Sequence, residues 1–512
     1  MGHSTRVLAA LALALLLGAD LTAPHSARAA EGQLVIGVHV TVAPRWLDPA
    51  ETESAISPFL VLYALHDALV KPMPAGPQTP CLAESWSTSP DGLTYDFVLR
   101  PAKFHNGDPV TAEDVKFSFE RYRGASATLL KSKVKEVQAV SPSQVRIVLK
   151  EPWPDFMTFY GTTATGAGWI VPKKYVEKVG DDGFLKAPVG AGPYKVVSLK
   201  PGVELVLEAF DGYWRKAPAV KRLVMRSIVD EATRAAALRA GEVDIAYLLT
   251  GPTAESIQKL PGYKLVAPLL SGAFWLELPD QWDPKSPWAD RRVRLAASHA
   301  IDRGAVNKAE TLGFSRLTGN MVPRIFQFAV PYDPPAYDPD RAKKLLAEAG
   351  YPSGVDGGEF YPFPPYNSMG EAIQGYLQAV GIRTRSRVME RAAYFAAWRE
   401  KKLRGVILVV SAAYGNTATK LEPYVIRNGI YAYGSNPEID DLFVQQSREG
   451  DAKKREALLH RIQTIIHDQV INVPIYDLAF IWGVGPRVEE SGAGLIPGYA
   501  YSAPMEDVRL RK

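Results

Sequence analysis

The chain has one cysteine, Cys81, in 512 residues. A single thiol closes no internal disulfide, so stability has to come from core burial rather than from covalent cross-links. No lysine- or arginine-rich run stands out, and 59 basic against 55 acidic residues leave a formal charge of +4. A nucleic-acid partner, which needs a concentrated positive face, is therefore not expected. Long apolar runs are also missing. VLAALALALLL, residues 7–17, falls short of the roughly 20 residues that cross a bilayer, and GVILVVSAAYG, residues 405–415, reads as a buried strand. Catalytic spacings are absent too: there is no G-x-S-x-G elbow, no H-E-x-x-H, no EF-hand loop and no P-loop, and Gly-Lys never occurs. Paired carboxylates leave no local signature, so an enzyme is not excluded, but the balance moves towards binding. The eight histidines are scattered. His460 and His467 are seven apart on one helix, about 10.5 Å by helical rise, too far for one metal. No metal or cofactor is expected.

The N-terminus is informative. Arg6, the short apolar core and small residues at Ala27 and Ala29 form a secretory signal peptide over residues 1–29, with cleavage before Ala30. Cys81 is far from that cleavage site, so no lipid-anchored cysteine is expected and the product reads as a free periplasmic protein. Hydrophobic residues at 47% and charged residues at 22% describe a globular chain long enough for two or three domains.

FHNGDPVTAEDVKFSFER, residues 104–121, gathers a histidine and several carboxylates, yet the physics assigns most of them structural duties. NGDP is a turn, Thr111 caps a helix with Asp114 three residues on, and Glu113 and Asp114 sit where the helix dipole favours negative charge. Asp338, Pro339 and Gly350 mark a second helix with apolar Ala342, Leu345, Leu346 and Ala349. DEATRAAALRAGEVDIAYL places a third helix before Gly241 and then a strand through Val243 and Ile245. Such interleaving predicts an α/β fold. Turn-rich LKAPVGAGPY (185–194) and LPDQWDPKSPWADRR (278–292) are candidate domain crossings or surface loops.

LAESWSTSPDGLTYDFVLRPAKFHNGDPVTAEDVKFSFER (82–121) resembles the signature region of the family 5 extracellular solute-binding proteins, the dipeptide, oligopeptide and nickel receptors of ABC importers. Ordered blocks follow the same pattern: the segment from Leu47, PVGAGPYKVV, FDGYWRKAPAVKRL, ALRAGEVDI, RRVRLAASHAIDR and LLHRIQTIIHDQVINVPIY. The resemblance implies a two-lobed periplasmic-binding-protein fold of the cluster C type, with a hinge and an inserted extra domain. Residues 30–49, 185–262 and 487–512 would form lobe I, 50–184 domain II, and 263–486 lobe III. It further implies a monomer that takes a small-molecule ligand between its lobes and hands it to an ABC permease in the inner membrane.

Peptide receptors of this family carry a lobe III aspartate that pairs with the peptide ammonium. Here the corresponding stretch, VVSAAYGNTATKLEPYVIRNG (409–429), has none. A buried ammonium needs an anionic partner, so ordinary peptides become less favoured, unless Glu422 substitutes. Trp46, Trp275, Tyr414 and Asn416 complete the candidate ligand-binding set, with the competing reading that each aromatic simply packs in a core. A secreted hydrolase on the same fold, and a receptor feeding a sensor rather than a permease, are the remaining alternatives.

Overall fold

The structure, a computed structural model, describes residues 31–52, 57–412 and 415–511. The expected signal peptide lies outside the described residues, as does Tyr414. The fold is α/β, built on two main sheets.

The first sheet holds seven strands in the order Tyr194–Lys200, Glu204–Ala209, Val220–Ser227, Glu31–Val38, Ile245–Leu249, Ile481–Val484 and Lys264–Val266. Glu31–Val38 runs parallel to both Val220–Ser227 and Ile245–Leu249. The helix Glu231–Arg239 connects those two strands, capped by Asp230, which accepts from Thr233 N at 2.8 Å. Gly241, at φ +73°, ends it where the sequence places the stop. Arg234 of this helix is buried and donates to the carbonyls of Tyr247, Leu248, Ile228 and Val229 at 2.6–3.0 Å, tying together the carboxyl ends of two strands. Arg294 and Arg303, in the RRVRLAASHAIDR block, do the same elsewhere: Arg294 binds four carbonyls, and Arg303 binds Pro474 O and Ser298 O at 2.8 Å each. A planar fork of donors suits this task, which a lysine does not reproduce.

The second sheet has six strands in the order Arg316–Leu317, Asn472–Ala479, Leu269–Glu277, Val406–Ala412, Val355–Tyr361 and Ile382–Ser386. The chain crosses between the sheets twice, from Lys264–Val266 into Leu269–Glu277 and from Asn472–Ala479 into Ile481–Val484. The crossings touch: Phe480 N donates to Pro268 O at 2.9 Å. Both lie inside the 263–486 span that the sequence assigned to lobe III. They are nearly continuous extended segments with little turn signal to mark them. The turn-rich 278–292 stretch is not a crossing; it forms two short 3-10 turns, Pro279–Trp282 and Pro287–Ala289, on the second lobe.

A third unit sits between the first strand and Tyr194. Its antiparallel sheet runs Ala83–Thr88, Thr94–Leu99, Gln144–Leu149, Val134–Ser141, over a core that includes Phe97, Val115, Phe119, Ile147 and Tyr160. Thr111 and Asp114 form the capping box read from the sequence, and Asp114 also accepts from Lys173 N at 2.9 Å. His105 lies in the turn and joins distant blocks: its Nε2 is 3.0 Å from Gly192 O and its Nδ1 accepts from Gly190 N at 3.2 Å. Among the described residues no group of three or more His, Cys, Asp or Glu is placed to hold a metal ion.

His66 is 0% exposed and bonds Leu47 O through Nε2. Burial pushes its pKa from 6.5 down to about 4. The unfolded chain therefore binds the proton more readily, and this contribution to stability is present above about pH 6.5 and lost as pH falls towards 4. Urea denaturation of wild type and His66→Asn, which retains every other titrating group, should give stabilities that converge by about 2 kcal/mol between pH 7 and 4.5. A constant gap would show that His66 accepts its proton without cost in the fold.

Candidate functional site

The loop after Val406–Ala412, within the 409–429 stretch that lacks an aspartate, enters the helix Thr417–Val425 at Asn416. Asn416 is 2% exposed and caps that helix: its Oδ1 accepts from Thr419 N at 3.1 Å, and its own N donates to Thr419 Oγ1 at 3.2 Å. Its Nδ2 reaches across to the inserted unit, donating to Asp155 Oδ1 and, at 3.4 Å, to Thr158 Oγ1. Gly415 beside it approaches the same surface so closely that a Cβ there would stand 2.2 Å from Thr158 Cγ2. Only glycine fits.

Asp155 is the acid at this junction, and a different element supplies it. Nη2 of Arg455, on the helix Ala452–Asp468 of lobe III, binds both its oxygens at 2.7 Å, while Nε of Arg455 donates to Gln446 Oε1 at 2.9 Å. The pair is largely removed from water, with side chains 6% and 12% exposed. Asp155 is thus neutralised by a guanidinium and further bonded by Asn416. Sequence reading missed this pair because its members are 300 positions apart. One signal was available: Arg455 stands on the apolar stripe Leu459, Ile462, Ile466 of its helix, where a charge has to be buried with a partner.

The other expected site residues are dispersed. Trp46 lies half-buried in the turn Pro44–Leu47 of the first lobe, and its indole N–H is buried without a partner. Trp275 belongs to the core of the second lobe: it is 1% exposed, edge-on to Tyr424, with Lys420 Nζ 4.4 Å above its ring. Its strand is buried on both faces, and Trp275 lines a small cavity together with Glu277, Tyr424 and Tyr433. Glu422 is exposed on the Thr417–Val425 helix, and its carboxyl is pushed up, first by desolvation and then by Asp155.

Two lobes joined by a paired strand crossing, with a bonded junction between the facing units, define a solute-binding protein of the hinged type. The family model for bacterial extracellular solute-binding proteins, family 5, matches residues 78–432. The chain belongs to this family, whose members bind small-molecule or peptide ligands and deliver them to an ABC permease. It is similar to the glutathione-binding protein GsiB of Escherichia coli, 28% identical over 77% of this chain and 79% of that one. It is equally similar to heme-binding protein A of Haemophilus influenzae, 28% identical over 80% and 81%. Among solved structures it resembles DppA of Helicobacter pylori in complex with the peptide STSA, with a TM-score of 0.73 and 26% identity over 94% of this chain and 98% of that one. NikA of Brucella suis in complex with Fe(III)-EDTA shares the fold at a TM-score of 0.81 and 24% identity, over 94% and 100%.

Proposed function

We propose that the chain is a periplasmic receptor, exported by a cleaved signal peptide, that encloses a small organic solute other than an ordinary peptide and presents it to an inner-membrane ABC permease. It acts as a monomer and breaks no bond. The observation that carries this reading is the state of Asn416. Where a peptide receptor would offer a free carboxylate, this loop offers an amide already committed to Thr419 and Asp155, and Asp155 itself is neutralised by Arg455. An ammonium placed there would lose its hydration without gaining a counter-charge. The relatives' own ligands, which include glutathione, heme and a peptide, do not narrow the class further. The rival reading is a di- or oligopeptide receptor using Glu422, favoured by that residue's accessibility and its closeness to the junction.

Mass spectrometry of whatever is released by denaturing protein exported to its native periplasm separates the two. A single compound that also contracts the protein in small-angle scattering is the expected result. A ladder of short peptides, lost in Glu422→Gln, would reverse the choice of ligand.

A further inference from the structure

One row of side chains crosses the lobe III sheet close to the crossing and has no part in the junction at Asn416. Arg316 opposes Asp477, Asp477 opposes Ala273, and Ala273 opposes Ser411, across four neighbouring strands. Directly opposed residues share a face, so Asp477 and Ser411 rise on either side of a single methyl group, about 10 Å apart at two strand spacings. Asp477 is three residues from Phe480, where the chain leaves for the other lobe.

Asp477 is 1% exposed. Its Oδ2 accepts from Arg316 Nε at 3.1 Å and Nη2 at 2.9 Å, while Oδ1 is buried and makes no hydrogen bond. Burial raises its pKa; Arg316 opposes the rise, and so does Arg324, whose backbone N–H and guanidinium lie nearby without closing a bond to Oδ1. Arg324 holds Asp333 through Nη2, but its Nε is buried and without a partner. From the opposite side Lys420, 0% exposed, donates to Ser411 O at 2.9 Å, and Asp477 is the acid that acts on it. Of the three N–H groups of an ammonium, that bond uses one. Desolvation lowers the Lys420 pKa to about 7 although Asp477 opposes it, so Arg316 and Arg324 balance Asp477 and Asp333, and Lys420 adds a positive charge while it keeps its proton.

An acceptor and a donor without partners, and an ammonium that makes one hydrogen bond and rests over the Trp275 ring, thus act on one another around Asp477. They fit a group that carries a cation and an anion close together. A peptide longer than one residue separates its two charged ends by at least one peptide unit. We propose that this cluster is the lobe III anchor for a solute bearing an amino group and a carboxylate on one carbon, with the ammonium on Asp477 Oδ1 and the carboxylate between Arg324 and Lys420. The inference rests on the receptor reading and gives it a ligand class; it needs neither Glu422 nor a free Asn416.

The test uses purified protein freed of bound solute, titrated by thermal shift and calorimetry with free amino acids, their amides and their N-acetyl derivatives. At least one free amino acid should bind and contract the protein in small-angle scattering, and blocking either its amine or its carboxylate should weaken binding at least tenfold. Asp477→Asn should weaken it at least tenfold while circular dichroism stays unchanged. Asp477 also pairs with Arg316, so Lys420→Gln serves if that variant fails to fold; it should lose the free amino acid while binding the amide no worse. A silent panel, blocked forms that bind as tightly, or variants that bind like wild type would overturn the inference. If the panel is silent while a co-purifying solute without an amine still contracts the protein, the receptor reading stands and the ligand class falls. If no solute contracts it, both fall.

Discussion

Asp67→Ala should destabilise the protein by about 3–5 kcal/mol, because it strands a buried ammonium. Lys71 is 2% exposed and its Nζ lies 2.8 Å from Asp67 Oδ1, with Asp67 itself fully buried. Burial alone would lower the lysine pKa; Asp67, joined by Cys81 and Glu506, outweighs it and the net shift is upward. The same carboxylate accepts from Tyr213 Oη at 3.0 Å, Trp214 Nε1 at 2.6 Å and Ala68 N at 2.8 Å. Its loss therefore removes a charge partner and leaves several donors unpaired together. The midpoint and slope of urea denaturation measure the cost, and Asp67→Ala/Lys71→Met should recover part of it by removing the stranded charge. A single variant within 1 kcal/mol of wild type would mean that water reaches Lys71 in the native state.

Arg455→Ala should behave differently although it also breaks a buried ion pair. Asp67 has no route to water short of unfolding. On the proposed closure mechanism Asp155 has one, since it faces Arg455 and Asn416 across the junction between the inserted unit and lobe III. The variant is expected to relieve its stranded carboxylate by opening, so the loss appears in closure rather than in unfolding. Ligand affinity should fall by about 2–5 kcal/mol, the unliganded radius of gyration should grow, and the urea midpoint should move little. A fall in the urea midpoint as large as that of Asp67→Ala, with no change in radius, would place the pair inside a rigid body and remove it from the closure mechanism.

These two pairs show where sequence reading succeeds and where it stops. Local signals were legible: Thr111 with Asp114, Asp338 before Pro339, and Gly241 after its helix all lie where short-range chemistry puts them. The ordered blocks were legible as a family, and the structure gives one physical reason for their joint occurrence. Asp67 of one block holds Tyr213 and Trp214 of another, and His105 pins the Gly190–Gly192 turn. The crossings at Ala267–Pro268 and Phe480 were not legible to the residue, because a strand that changes sheets keeps its extended form and apolar composition. Trp275 was placed near the cleft from its block, but a strand buried on both faces gives no alternation from which to read its orientation. Asp477 is the charge inside an otherwise uncharged strand, NVPIYDLA, all of it buried. That anomaly could have flagged it, although nothing in the strand names Arg316 or Lys420 as its company.

The seven-stranded sheet has a further consequence. Its strand Ile481–Val484 lies between Ile245–Leu249 and Lys264–Val266, while Glu31–Val38 sits on the other side of Ile245–Leu249. The first lobe is thus stitched from segments more than 400 positions apart, and no partial chain ending before residue 481 can complete it. Contacts of such long sequence separation form late and slowly. A nascent chain stays without its finished first lobe until nearly all of it has been made.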